Sequence, residues 1–264
     1  MDAEVYSQLK HSIKKTLKID LGHYKDEQMK RRLDSWLVRS RATNWQDYFR
    51  LLTTDSLELE RFRNYLTINV TEFFRDPLRW EILHQDILPY LIKTSAEARV
   101  ATPLKLWSAG CSLGTEPYTL AILMAEAFPL QRYTLQATDL DRGALQKARA
   151  GGPYTKEEIR NLNPAQRQKY ITPDAPYHVQ EKLRKNITFA EQDLLADRFE
   201  SGFDLIICRN VVIYFTSDAK DTLYEKFNAA LRPGGILFVG GTEIISGPNK
   251  YGFTNFGISF YKKV

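Results

Sequence analysis

From the first residue to about Leu66, apolar side chains recur at helical spacing, helix formers dominate, and there is a single glycine and no proline. This pattern predicts a small all-helical domain. Between Asp26 and Arg41, Met29, Leu33, Trp36 and Leu37 fall at i, i+4, i+7 and i+8, which predicts one buried stripe with Asp26 as the cap. From about residue 100 the pattern changes to short β-rich runs, each followed by an amphipathic stretch. Strands are expected at 104–109 (LKLWSA), 133–139 (YTLQATD), 203–210 (FDLIICRN) and 235–241 (GILFVGG), with helices over 117–128 and 142–149. A Pro-interrupted insertion at about 165–190 predicts a small antiparallel β element, followed by a further core strand near 186–190. The final FTNFGISFYKK reads as a closing pair of strands. The chain is therefore α/β in class, with a helical front domain (1–70), a linker (71–98) and a doubly wound domain (99–264).

Composition narrows the class. With 264 residues, 43% hydrophobic and 12% aromatic, the chain can bury a large core, which excludes disordered and collagen-like proteins. Cys111 and Cys208 lack CxxC spacing, so no zinc site, other metal or disulfide framework is expected, and a reducing cytoplasm fits best. No apolar run reaches the roughly 18 residues of a spanning helix, and MDAEVYSQLK is not a signal peptide, so membrane insertion and secretion are not expected. The net charge of +5 matters only where it is concentrated. Between Gln28 and Arg41, Lys30, Arg31, Arg32, Arg39 and Arg41 face one acid, Asp34. That surplus is either an ordinary solvated face or a docking surface for an acidic partner.

Three places carry chemistry. The turn after the first strand, Ser108-Ala109-Gly110-Cys111-Ser112-Leu113-Gly114-Thr115-Glu116-Pro117, has glycines that let a ligand approach the backbone. Its G-x-x-x-G spacing is not the dinucleotide fingerprint, and no Walker lysine follows. Glu116 would repel a pyrophosphate but could receive an ammonium group. Asp139, ending the second strand, can accept from both hydroxyls of a ribose, or cap a helix. Together they favour a nucleoside with an amino-acid tail, which describes S-adenosylmethionine. Arg209 and Asn210 interrupt an apolar run at a strand end, before Val211-Val212-Ile213-Tyr214-Phe215. The Leu231-Arg232-Pro233-Gly234-Gly235 stretch reads as a structural turn.

These residues, with Asn69-Val70-Thr71-Glu72-Phe73-Phe74-Arg75-Asp76, LKLWSAGCSLGTEPYTLA and CRNVVIYF in this order, resemble the chemotaxis receptor methyltransferases, the CheR family. The resemblance spans essentially the whole chain. It implies a doubly wound methyltransferase domain and methylation of receptor glutamates, with S-adenosylhomocysteine as product. It assigns cofactor contacts to Asn69, Thr71, Arg75, Glu116, Asp139, Asp193, Leu194, Arg209 and Asn210, with Asp193 and the Leu194 backbone at the adenine edge. Many relatives carry Asn at the position of Asp193, and an aspartate can still accept from the adenine amino group.

The implied transfer is an in-line displacement by an ionised carboxylate, which needs no general base. Arg75 and Tyr214 are the expected catalytic residues, holding the substrate carboxylate in line with the methyl group. The basic helix gains an acidic partner, the cytoplasmic methylation helices of chemoreceptors. The family also leads us to expect a cytoplasmic monomer. The insertion occupies the place where some relatives tether a receptor tail peptide, but its short, glycine-free turn, Thr172–Tyr177, argues against that use. Two rival readings stay open: a methyltransferase for nucleic acid or small molecules, although neither an Asn/Asp-Pro-Pro-aromatic loop nor a Pro-Cys nucleophile occurs, and a cofactor-binding scaffold without turnover.

Overall fold

The computed structural model describes residues 1–40, 42–67, 69–98 and 103–264, so Arg41, one of the expected docking residues, lies outside the described residues. The chain divides into two compact units, Met1–Ile68 with Tyr214–Lys220, and Asn69–Ile213 with Asp221–Val264.

The first unit is helical: α1 (Ala3–Leu17), α2 (Asp26–Ser40), α3 (Trp45–Thr54) and α4 (Ser56–Leu66). Side-chain caps define three of the starts. Asp2 accepts from the Val5 amide, Asn44 from Asp47, and Asp55 from Leu57 and Glu58. Asp26, expected as a cap, is instead the first residue of α2 and accepts from the Tyr6 hydroxyl. Met29 and Leu33 are buried as expected, whereas Trp36 and Leu37 are half-buried. The Trp36 ring lies against Tyr65, and its Nε1 donates to the Tyr48 hydroxyl at 2.6 Å.

The second unit holds a seven-stranded sheet in the order β3-β2-β1-β4-β5-β7-β6. The strands are β1 (Leu104–Ala109), β2 (Tyr133–Asp139), β3 (Ile187–Glu191), β4 (Phe203–Cys208), β5 (Leu231–Val239), β6 (Phe253–Asn255) and β7 (Phe260–Lys263). The first five in sheet order run parallel, and β7 and β6 close the edge antiparallel. The order reverses between β1 and β4, which creates the crevice at their carboxyl ends where doubly wound sheets bind ligands.

Four expectations are corrected or refined here. The 71–98 stretch, expected as a linker contributing to the cofactor site, has regular structure of its own. It forms α5 (Pro77–Ile82), a π-helical turn (Leu83–Ile87) and α6 (Leu88–Ala98), and Phe73, Trp80, Leu83, Ile87, Leu88 and Leu91 enter the core of this unit. The Leu231–Gly235 turn is part of β5, which begins at Leu231 and absorbs Pro233 and Gly234 where the pairing with β4 shifts register. Arg232 is buried there and ion-pairs with Asp204. The insertion keeps only two isolated antiparallel bridges, Tyr154–Tyr177 and Ile171–Val179, beside the short helices α9 (Pro164–Tyr170) and α10 (Glu181–Arg184). Finally, the first helix after β1, α7 (Thr115–Ala127), starts two residues before Pro117. The remaining helices are α8 (Arg142–Ala150) and α11 (Ser217–Ala230), the latter belonging to this unit from Asp221 onward. Among the described residues, no helix is long and apolar enough to cross a membrane.

Candidate functional site

The site is built on the glycine turn between β1 and α7. Gly110 and Gly114 take φ of +84° and +86°, and Ser112 takes +47°. A Cβ on Gly110 would meet Val211 Cγ2 at 2.6 Å, and one on Gly114 would meet the Ala148 Cβ at 2.8 Å. Glycine is therefore required twice over, by backbone conformation and by space. The turn is tied to the end of β2: the Gly110 and Cys111 amides donate to the Thr138 carbonyl, and the Ser112 amide donates to Asp139 Oδ2 at 2.7 Å.

Asp139 also accepts from the Asp141 amide at 2.9 Å. Each carboxylate oxygen has two lone pairs, so these bonds orient Asp139 and leave acceptor capacity for two hydroxyls. Burial raises its pKa to about 6, against the backbone bonds from Asp141 and Ser112 that favour the ionised form. Asn69 bridges the two sides of this arrangement, accepting from Ser112 Oγ and donating to Asp141 Oδ2, both at 2.6 Å. Asp141 is fully buried and caps α8 through the Ala144 amide. Sequence reasoning missed it; the only signal was the second acid of ATDLD. Asn69 thus serves here as a brace for the acidic turn, and Thr71 Oγ1 meets Thr115 Oγ1 at 2.5 Å.

Glu116 lies in the first turn of α7 with 9% of its surface exposed. Oε1 accepts from Ser108 Oγ at 2.7 Å, and Oε2 lies 3.9 Å from Arg209 Nη1. Burial is the largest effect on this carboxyl and raises its pKa to about 7, with Arg209 the main opposing influence. A carboxylate buried with so distant a cation is under-compensated, which suits it to an incoming ammonium group.

Arg209 is 6% exposed, between the Trp80 and Phe238 rings at 5.5 and 4.9 Å. Its Nη2 donates to the Arg75 carbonyl at 2.9 Å and to Asp76 Oδ2 at 2.6 Å. Asp76 therefore pairs with Arg209, not with Arg75. The clamp holds a loop in which Phe74 and Asp76 have φ of +49° and +59°, conformations costly for residues with a Cβ. The Trp80 indole donates to the same Arg75 carbonyl. The Arg75 guanidinium, half-buried, donates to the Val70 carbonyl.

At the end of β3, Asp193 Oδ1 accepts from the Leu195 and Ala196 amides, and the Leu194 carbonyl accepts from Lys226 Nζ at 2.7 Å. The Asp193 Oδ2 and Leu194 amide are then the groups left for a heterocycle edge. Asn210 has φ of +59°, and its amide donates to Glu243, a buried carboxylate that sequence reasoning also missed.

The structure thus gathers Asn69, Thr71, Arg75, Glu116, Asp139, Asp193, Leu194, Arg209 and Asn210 in one unit, whereas Tyr214 belongs to the helical unit. There its carbonyl accepts from the Lys25 amide. Of the basic residues on α2, Arg31 and Arg39 are exposed and Lys30 is half-buried over the Tyr6 ring. Arg32 corrects the expectation of an open docking face: it is half-buried, stacks on Tyr65 and donates to the Tyr65 carbonyl. Its guanidinium ties α2 to α4. Among the described residues, no cluster of His, Cys, Asp or Glu could hold a metal ion.

Residues 69–261 match the family described as CheR methyltransferase, SAM binding domain, and residues 4–67 match CheR methyltransferase, all-alpha domain. A chemotaxis protein methyltransferase of Listeria innocua is 40% identical over 252 residues, covering 95% of this chain and 94% of that protein. The protein of the same name from Escherichia coli is 34% identical over 239 residues, covering 86% of this chain and 80% of that one.

Proposed function

The chain belongs to the CheR methyltransferase family, and from that premise we propose that it methylates glutamate side chains on the cytoplasmic helices of chemoreceptors, using S-adenosylmethionine. The observation that carries this reading is the pairing of two differently employed carboxylates at the carboxyl end of the sheet, the half-buried Asp139 ending β2 and the buried Glu116 in the first turn of α7. Asp139 is oriented to accept hydroxyls, and Glu116 meets its nearest cation, Arg209, only at 3.9 Å with no hydrogen bond between them. A nucleoside with a cationic amino-acid tail satisfies both.

The cofactor supplies a methyl group on a positively charged sulfur. In this reading Glu116 receives the ammonium, Asp139 the ribose hydroxyls, and Asp193 with the Leu194 amide the adenine edge. Asn69 and Thr71 brace the turn, while Arg209 holds the Phe74–Asp76 loop and moderates the Glu116 charge. A receptor glutamate, with an ordinary pKa near 4.3, is ionised at neutral pH. Its oxygen forms the new bond to the methyl carbon as the carbon–sulfur bond breaks, and no proton moves. The protein's contribution is alignment and partial desolvation, which together supply about 7–11 kcal/mol. Arg75 and Tyr214 are the groups assigned to hold the attacking carboxylate, with a single Tyr214 hydroxyl bond leaving it nucleophilic. The product is a glutamyl methyl ester and S-adenosylhomocysteine.

Radiolabelled methyl transfer to receptor-containing membranes tests this directly. Label released as methanol by mild alkali is the expected result, and alkali-stable label would overturn the carboxyl assignment. In the same assay, Tyr214→Phe is expected to lower turnover at unchanged cofactor affinity, and unchanged turnover would remove Tyr214 from the chemistry.

Lys30, Arg31 and Arg39 are the part of the α2 face proposed to meet the acidic receptor. Reversing Arg31 and Arg39 to glutamate is expected to raise the KM for receptor several-fold at low salt, and less at high salt, because exposed charges are screened beyond about 10 Å at 0.1 M. Indifference to both charge and salt would return these residues to an ordinary solvated face.

A further inference from the structure

Beyond the residues assigned above, another buried carboxylate stands at the carboxyl end of the sheet. Glu243 follows β5 through Gly240-Gly241-Thr242, and only 4% of its surface is exposed. Its charge is met by backbone N–H groups. Oε2 accepts from the Asn210 and Gly240 amides, each at 2.7 Å, and Oε1 accepts from Ile213 at 3.2 Å. Glu243 therefore spans the ends of two neighbouring parallel strands, joined at Cys208 and Val239, and fastens the chain leaving β4 to the chain leaving β5. Burial raises its pKa while the backbone bonds favour the ionised form.

Two features show how tightly this arrangement is made. A Cβ on Gly240 would lie 2.5 Å from Glu243 Oε2, so the carboxylate fills the space a side chain would take. Asn210, in the left-handed region at φ +59°, is held there by its amide bond to Glu243, although asparagine tolerates this region better than most residues. The fastened segment, Arg209 to Ile213, contains Arg209, which clamps the Phe74–Asp76 loop, and Val211, which packs on Gly110 of the ligand-binding turn.

We propose that Glu243 is a positioning residue for the cofactor site: by gathering the Asn210, Ile213 and Gly240 amides on one carboxylate, it presets the β4 segment before ligand arrives. Glu243 acts through Arg209, Asn210 and Val211. The inference rests on the reading of this crevice as the S-adenosylmethionine site.

Glu243→Gln tests it, because an amide of nearly the same shape keeps one acceptor and turns an N–H toward a backbone donor. Titration with S-adenosylhomocysteine is expected to show at least a tenfold rise in Kd. The KM for S-adenosylmethionine should rise in parallel. A purely structural role would reduce the active fraction and leave both the Kd and that KM alone. Wild-type affinity in the folded variant would overturn the proposal. Should the variant not fold, amide hydrogen exchange in the ligand-free wild-type protein decides. Slow exchange at Asn210 and Ile213, comparable to β4 and β5, supports a preset segment, and fast exchange overturns it. A wild-type protein that binds no S-adenosylhomocysteine at all would instead defeat the reading of the crevice itself.

Discussion

Replacing Asp139 with asparagine is expected to raise the Kd for S-adenosylhomocysteine about a hundredfold or more while leaving the melting temperature of the ligand-free protein unchanged or higher. The carboxylate accepts two backbone amides in the free protein and, in the proposed complex, two ribose hydroxyls. Asparagine has one acceptor oxygen in place of two, so at least one hydroxyl bond and one amide bond lose their partner. Hydrogen bonds to charged groups contribute about 1.5–3 kcal/mol each, so losing one or two accounts for a factor of that size.

Stability should move the other way. A carboxyl whose folded pKa is about 6, above its ordinary 3.8, binds its proton more tightly in the folded than in the unfolded chain. Its ionised form therefore costs stability as pH rises between those values, on the order of 3 kcal/mol at neutral pH. A neutral amide avoids that cost. Calorimetry of ligand binding and thermal unfolding of the same variant separate the two effects. Affinity within threefold of wild type would show that the ribose is held elsewhere.

The second large effect concerns pH. Glu116 in the free protein has a pKa of about 7, and only its ionised form can pair with an ammonium. Binding a cation favours ionisation, so the affinity for S-adenosylhomocysteine is expected to be full above pH 7. It should fall about tenfold for each pH unit below, and more steeply below 6, where Asp139 also takes up a proton. The sign is opposite for folding. Between pH 4.5 and 7 the unfolded carboxyl is ionised and the folded one protonated, so stability contributed by Glu116 falls as pH rises. The ammonium relieves that burial cost, which links the weakness of the free site to the strength of binding. Glu116→Gln should remove the dependence between pH 6 and 7 and leave the Asp139 limb. Titrations from pH 5.5 to 7.5 on both proteins measure this. A wild-type affinity that does not change with pH would separate Glu116 from the ammonium.

What could be read from the sequence alone was whatever depends on near neighbours. β1 and β2 occupy the runs expected for them, because short runs in which apolar and aromatic residues recur, bounded by turn residues, specify a strand locally. Gly110 and Gly114 were legible because a positive φ and a close approach both select glycine within one short turn. Asp139 and Glu116 could be singled out because acids are rarely placed at the ends of buried elements without a task.

Only the tertiary structure decided how distant residues divide these tasks. Arg209 was expected at the ligand site, and what its sequence context did not contain is that its Nη2 is held by Asp76 and the Arg75 carbonyl, 133 and 134 positions away. Asn69 reaches Asp141 across 72 positions, and Glu243 reaches Asn210 across 33. Arg32 turns inward because the Tyr65 ring and carbonyl lie beside it, again 33 positions away. The strand that absorbs Pro233 and Gly234 was expected as a turn, because its pairing energy comes from β4 and not from its own residues. Periodicity and turn chemistry are properties of a short segment. The partner of a buried charge is set by which segments the fold brings together, and no local pattern contains that information.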